Sequence, residues 1–387
     1  MRKIVFLFLL MLVFVSSAQV KKKSFNPSAF VDPQIGSVHG RWFFYTPASL
    51  PFGMAKLAPH TNGYGSVGSW EPCGYDDRHT SIEGFGHFHE FQIGGLVAMP
   101  TTGVLQTIPG TLENPDSGYR SRFDKKAEHT EPGYYSVFLK DYGIKAELTA
   151  TERVGFHRYT FPESKESRII FDVGHRQGES SGVTEAIIRL SGKKELVGSI
   201  ETYPEYLKFC DPEKRVKMYF VIRLNKEAES FGAFSEAEVF KSQKDSKGTG
   251  NGMYLNFSTR KDEVVEMQVG LSYTSIENAK NNLLAEATGK TFDKVKNTAH
   301  QKWNEKLGRI QVEGKDSINK VKFYTGLYHA LLGRGLASDT NGQYIQHNGK
   351  IGQIALNSKG KPKYNHYNTD GIWGGFWNLG QLWALAY

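Results

Sequence analysis

From about residue 25 to 270 the chain reads as short stretches in which apolar and polar residues alternate. The clearest are 134–139, 144–151, 154–161, 168–173, 186–190, 218–224 and 264–272. Most are bounded by Gly, Pro, Asp, Asn or Lys. A period of two between turn-forming residues marks half-buried strands, and many short strands of this kind imply a β-sandwich or barrel rather than a parallel α/β sheet. The polar, glycine-containing stretch 241–252 reads as a surface loop. Near Ser275 the period changes. Residues 276–307 carry Asn, Ala, Lys, Glu and Leu at helical spacing, interrupted at Gly289, which predicts one or two helices. A short extended piece follows at 310–313, then a helix over 321–332 with Phe323, Leu327 and Leu331 on one stripe. The last predicted helix starts at Ile372. Trp373, Phe376, Trp377, Leu379, Leu382, Trp383 and Leu385 cover nearly its whole circumference, the pattern of a helix buried on all sides. Residues to bury it are not in the sequence, so the expectation is a piece of a longer protein.

The amino terminus is a different kind of segment. Arg2 and Lys3 precede an unbroken apolar run, Ile4 to Val15, and Ser16-Ser17-Ala18 supplies small residues at cleavage positions. As a helix, such a run spans about 18 Å, too short for a hydrocarbon core of about 30 Å. The reading is a signal peptide over 1–18, and a periplasmic or secreted protein without a membrane span. Cys73 and Cys210 then meet an oxidising compartment, where pairing is open to them. The domain expectation is a β-sandwich over 19–274, linker helices over 275–312, and a helical unit from 313 to 387.

Composition adds little beyond exclusion. The 387 residues include 39% apolar and 23% charged residues, a globular balance rather than that of a disordered chain. The net charge of +8 is spread over 48 basic and 40 acidic residues, with no basic face to suggest a nucleic-acid partner. Aromatics at 13% suit either an aromatic core or rings that stack on sugars. Oligomeric state is not written in any of these features.

The segments richest in candidate chemistry lie early and late. Val31-Asp32-Pro33-Gln34-Ile35-Gly36 and Leu50-Pro51-Phe52-Gly53 read as tight turns. Cys73-Gly74-Tyr75 and Glu83-Gly84-Phe85-Gly86-His87-Phe88-His89-Glu90 follow. His87 and His89, two apart on a strand, face one side, with Glu90 on the other. They are suited to binding a polyol or a metal, or to pairing as structural histidines; the third and fourth ligands of a zinc site are not identifiable. Trp70, in a glycine-rich stretch, suits a sugar platform or a lid on the core. Trp373 and Trp377, one helical turn apart, form either a platform or part of the core.

Together, 31–53, Gly74-Tyr75 and the Gly84–His89 run resemble the N-terminal domain of glycoside hydrolase family 92, the calcium-dependent exo-α-mannosidases. Trp303-Asn304-Glu305-Lys306-Leu307 resembles its Trp-Asn element, Phe323-Tyr324-Thr325-Gly326-Leu327-Tyr328-His329 its first barrel helix, and Ser338-Asp339-Thr340-Asn341-Gly342-Gln343-Tyr344 the turn that follows. The resemblance implies a mutarotase-like β-sandwich (a supersandwich), linker helices and the start of an (α/α)6 barrel. It also implies a mannose-containing glycan as substrate, calcium as cofactor, and hydrolysis with inversion. In the family the acid, the base and the calcium ligands lie later in the barrel, so no catalytic pair is assigned here and the metal ligands are expected beyond Tyr387. The substrate-binding candidates are Trp70, His87, His89, Glu90, Asp370 and Trp373. The sequence departs from the family at the Trp-Asp-Thr-Tyr-Arg segment, where Gly374 and Trp377 replace the Asp and the Arg, with Asp370 one helical turn before. A different sugar or linkage, or a non-catalytic carbohydrate-binding or structural module, is the alternative this departure leaves open.

Overall fold

A computed structural model of the chain describes residues 25–38, 45–61, 74–88, 94–174, 182–204, 207, 211–333, 335–368 and 378–387. Two large antiparallel sheets dominate the first two-thirds. The first has eight strands, in the order Ala48–Ser49, Lys56–His60, Gly84–Gly86, Val97–Thr101, Ser164–Asp172, Asn251–Thr259, Ser230–Ser235 and Glu238–Lys241. The second has nine: Asp245–Gly248, Val183–Leu190, Glu195–Thr202, Val216–Leu224, Glu263–Ser272, Val154–Phe161, Ile144–Ala150, Tyr134–Leu139 and His129–Glu131. Their facing sides interdigitate. Leu57, Phe85 and Ile170 from the first sheet share one buried core with Leu148, Tyr159 and Met267 from the second. Each such side chain contributes about 1.5–3 kcal/mol by leaving water. The fold is the expected β-sandwich followed by helices.

The outer face of the second sheet is also covered, by helices α1 (Ile276–Ala287) and α2 (Phe292–Leu307). Val154, Phe156, Val197 and Val221 point outward and pack on Ala279, Leu283, Phe292 and Val295. The contact at α1 requires Gly270: a Cβ there would strike the Ala279 carbonyl and Leu283. Ser275 caps α1 by accepting from the Asn278 amide, and Thr291 caps α2 the same way at Lys294. Between them Gly289 takes φ +69°, a conformation that favours glycine and ends the first helix. Helix α3 (Ser317–Ala330) is capped by Asp316. Trp303 of α2 packs with Tyr324, Leu327, Tyr328 and Leu331 in a third apolar cluster.

Several expectations are corrected. The stretch 241–252 is not a single loop: Asp245–Gly248 forms an edge strand and Asn251 begins the next. An edge strand with one solvated side tolerates the polar composition that reads as loop. The 310–313 piece joins no ladder; the Tyr324 hydroxyl holds it, donating to the Ile310 carbonyl at 3.1 Å and accepting from the Val312 amide at 3.2 Å. Phe323 does not share the burial of Leu327 and Leu331, being 37% exposed. The described helical residues of the last predicted helix are Gly380–Ala386 (α4), where Leu385 is 88% exposed, as expected of an apolar helix that is not covered all round. Among the described residues no helix is long and apolar enough to cross a membrane.

Candidate functional site

The sandwich meets the helical part along one seam, and the tight turn at 50–53 is its centre. Phe52 adopts a left-handed φ of 59°, which costs a non-glycine residue about 1–2 kcal/mol. Both of its peptide groups are engaged across the seam. The Phe52 amide donates to Leu331 at 3.0 Å, and the Leu336 amide donates to the Phe52 carbonyl at 2.9 Å. Its ring meets Tyr367, Trp383 and Tyr387 edge-on, with centroids 6.2–6.4 Å away. Around the turn, Lys56 donates its ammonium to the Leu332 carbonyl at 3.0 Å, and Trp303 donates its indole N–H to the Ser49 carbonyl at 2.8 Å. Arg153 reaches from the sandwich to the Ser338 carbonyl at 2.7 Å while pairing with Glu286 of α1 at 2.8 Å. Beside this pair, a cleft of about 180 Å³ opens between sandwich and linker helices, lined by Thr151, Glu152, Glu286, Lys290 and Lys302 among others.

Of the six candidate substrate contacts, Trp70, His89, Glu90, Asp370 and Trp373 lie outside the described residues, as do Cys73 and Cys210. The residues flanking them are described. Thr61 donates its amide to the Gly74 carbonyl at 2.8 Å. That contact lies at the far end of the Lys56–His60 strand. Phe88, which precedes His89 and Glu90, bridges to Lys56 at the near end, about 16 Å away at 3.3 Å per residue. Asn368, two residues before Asp370, donates its amide to the Gly335 carbonyl at 3.0 Å. Phe88 at Lys56 and Asn368 at Gly335 therefore lie by the seam, and Thr61 with Gly74 lies at the opposite end of the strand.

His87 lies inside the sandwich, fully buried. Its Nδ1 lies 2.9 Å from the Leu96 carbonyl, and a carbonyl only accepts, so Nδ1 carries the proton. Its Nε2 then accepts from Nε2–H of His157, 2.9 Å away on the opposite sheet. His157 Nδ1 in turn accepts from the Tyr159 hydroxyl at 2.8 Å. This polarity needs both rings neutral. Burial pushes His87 down to about 4, and burial together with the neighbouring His87 lowers His157. His157 was not singled out from the sequence; its signal is a histidine on the inward parity of a strand, two residues before Tyr159.

A second buried polar group, Asp339, also escaped individual notice. It is 2% exposed and accepts from Ser272 at 2.9 Å, Thr274 at 2.5 Å and Asn282 at 2.7 Å. Burial raises its pKa, opposed by these three donors. Calcium requires six to eight oxygen ligands, several of them carboxylates. Among the described residues no three His, Cys, Asp or Glu side chains converge to hold a metal ion. The described residues do not fit the expected calcium, and no step is derived through it.

Comparison with known proteins decides the family. The glycosyl hydrolase family 92 N-terminal domain matches residues 30–272, and the family 92 catalytic domain matches 278–387. The chain belongs to glycosyl hydrolase family 92. The two family-92 matches meet where the last sandwich strand ends at Ser272 and α1 begins at Ile276. A family 92 α-mannosidase from Bacteroides thetaiotaomicron, solved in complex with mannoimidazole, is 26% identical with a TM-score of 0.78, over 89% of this chain and 44% of that one. An inverting family 92 mannosidase from the same organism shares the fold at 21% identity and a TM-score of 0.73, over 94% of this chain and 46% of that one. An uncharacterized secreted glycosidase from Arthroderma benhamiae is 27% identical over 78% of this chain and 41% of its own length. The chain thus spans less than half the length of each of these relatives.

Proposed function

We propose that this chain is the amino-terminal part of an exported glycosidase that removes terminal α-linked mannose, or a closely related sugar, from glycans. The observation that carries the reading is the 26% identity and common fold with an α-mannosidase solved with mannoimidazole. Hydrolysis proceeds with inversion: one carboxylic acid protonates the leaving oxygen while a carboxylate activates water on the opposite face. That pair, and the ligands of calcium, belong to the half of the relatives this chain does not span. This chain alone is then inactive. Its contribution is sugar binding, with Trp70, His89, Glu90, Asp370 and Trp373 as the candidate contacts. Residues 1–18 direct export and are removed.

A second reading is favoured by Gly374 and Trp377 standing where the family has its Asp and Arg. In it the sandwich holds a glycan without chemistry. Assay of the protein as its native host exports it separates the two. Aryl α-mannoside, β-mannoside, α-glucoside and α-galactoside are offered in parallel, with the intact mass recorded. Selective α-mannoside hydrolysis by a protein much heavier than this chain supports the first reading. Glycan binding without hydrolysis of any of the four overturns it.

A further inference from the structure

Next to the seam, where Ser338 bridges to Tyr344, lies a basic surface with no part in the chemistry above. Residues 340–369 hold four lysines and no aspartate or glutamate, a formal +4 within a chain of net +8. Glycine, proline and apolar residues separate these lysines, so no basic run shows in the sequence. The fold gathers them on two adjoining hairpins. In the first, Gln343–Ile345 pairs with Ile351–Gln353, and Lys350 lies in the turn. In the second, Leu356 bridges to Pro362, the Asn357 amide donates to the Lys361 carbonyl at 2.8 Å, and the Lys363 amide donates to the Ala355 carbonyl at 3.0 Å. Asn357 Oδ1 closes that turn, accepting from the amides of Lys359 and Lys361 at 2.9 and 3.1 Å.

The hairpins pack on each other and leave the lysines outside. Pro362 faces the first hairpin: a Cβ on Gly342 would strike the Pro362 ring and the Gln353 amide. Side chains alternate along an extended strand, so Lys361 and Lys363 project from the side opposite Pro362. Their cross-strand partners Asn357 and Ala355 share that side and add no charge. All four lysines are exposed, and among the described residues none is paired with a carboxylate. Exposed lysines elsewhere do pair, as Lys193 with Glu227, Lys247 with Glu185 and Lys280 with Glu195. Tyr364, next to Lys363, is 64% exposed. From the sandwich, Lys214 donates its ammonium to His347 Nδ1 at 3.2 Å; Asp211 and Glu213 beside it are offset by Lys214 and Arg215.

We propose that the 355–364 hairpin is a secondary binding surface for an acidic glycan. Its lysine ammoniums meet carboxylate or sulfate groups along the polymer, and the Tyr364 ring lies against a sugar face. Unpaired positive charge calls for an anionic partner. That the partner is a glycan follows from the match of residues 278–387 to the catalytic domain of a glycosyl hydrolase family. The inference goes beyond the α-mannosidase reading and does not depend on it. The test is calorimetry on the full-length protein with two matched pairs: polygalacturonate against its methyl ester, and dextran sulfate against dextran, each at low and physiological salt. Lys359→Gln/Lys361→Gln/Lys363→Gln should weaken binding of an acidic polymer about ten-fold and flatten its salt dependence. Lys193→Gln/Lys247→Gln/Lys280→Gln, which removes the same charge at paired lysines, should leave that binding unchanged. Equal binding of acidic and neutral members, no binding of any, or an equal loss in both variants overturns the proposal. Equal loss is the result if the hairpin lysines only blunt open strand edges. Uptake onto anionic lipid vesicles with neither acidic polymer bound overturns it too. Hydrolysis of α-mannoside, recorded alongside, decides the catalytic reading separately.

Discussion

Acid should loosen the sandwich from within, and the size of the effect follows from His87. Its ring is neutral in the fold, with its titration moved from the ordinary 6.5 to about 4 by burial. A lowered pKa means the unfolded chain binds a proton the folded chain refuses. Stability therefore falls as pH drops through the window from 6.5 to 4, and is fully retained above it. The full shift of about 2.5 units corresponds to about 3 kcal/mol at 1.36 kcal/mol per unit, of which about 2 kcal/mol is lost by pH 5. His157 titrates in the same direction and adds to the loss. Set against a total of about 5–15 kcal/mol, this is a large fraction. The assay is urea unfolding at pH 7 and pH 5, for the wild type and for the triple variant His87→Leu/His157→Leu/Tyr159→Phe. The variant removes the hydrogen-bonded chain as a unit, so few polar groups are stranded. Its pH 7 to pH 5 difference should shrink by at least about 2 kcal/mol, the His87 share, with the His157 share added. Equal acid sensitivity in both proteins would refute the reasoning, since the titrating groups would then lie elsewhere.

Other outcomes are expected from single contacts. Gly270→Ala should cost about 1–3 kcal/mol, because the added methyl overlaps the Ala279 carbonyl; a melting temperature within a degree of wild type would contradict this. Glu147→Gln should cost about 2 kcal/mol by breaking a bidentate Arg158 pair, at 2.9 and 3.0 Å, and weakening the Tyr134 contact at 2.6 Å; a double-mutant cycle with Arg158 measures it. Burial works to raise the Glu147 pKa, but those partners outweigh it and hold the carboxyl at about 2, so its contribution persists above pH 4.5 and disappears only as pH falls toward 2. Trp303→Phe should cost about 1–3 kcal/mol through the lost bond to the Ser49 carbonyl, read by thermal unfolding. Residues 19–387 produced alone should self-associate through Ile318, Phe323 and Leu385, which are 64%, 37% and 88% exposed; a monodisperse, cooperatively melting product would count against that.

Much of the architecture was legible because one physical signal dominates it. Short apolar-rich runs between turn residues mark strands, and 134–139 and 154–161 were read at their observed limits even though helices cover the outer face of their sheet. The break at Gly289 was legible because a residue at φ +69° ends a helix. The polar groups were less so, since their partners are distant in sequence. His157 meets His87 seventy residues away, and Asp339 collects donors 57 to 67 residues upstream. A local pattern existed in one case: Asn278 and Asn282 sit one helical turn apart on the same buried side of α1 as Ala279 and Leu283, where polar side chains need partners. The edge strand at 245–248 was hidden by its polar composition.

The most direct test of the central claim is the anomeric form of the first sugar released. The protein exported by its native host is mixed with an α-linked mannobioside, and the anomeric protons are followed by NMR from the first turnover. The account predicts β-mannose first, drifting to the equilibrium mixture by mutarotation. Initial release of α-mannose, or release of no mannose while another glycoside is cleaved, would contradict it.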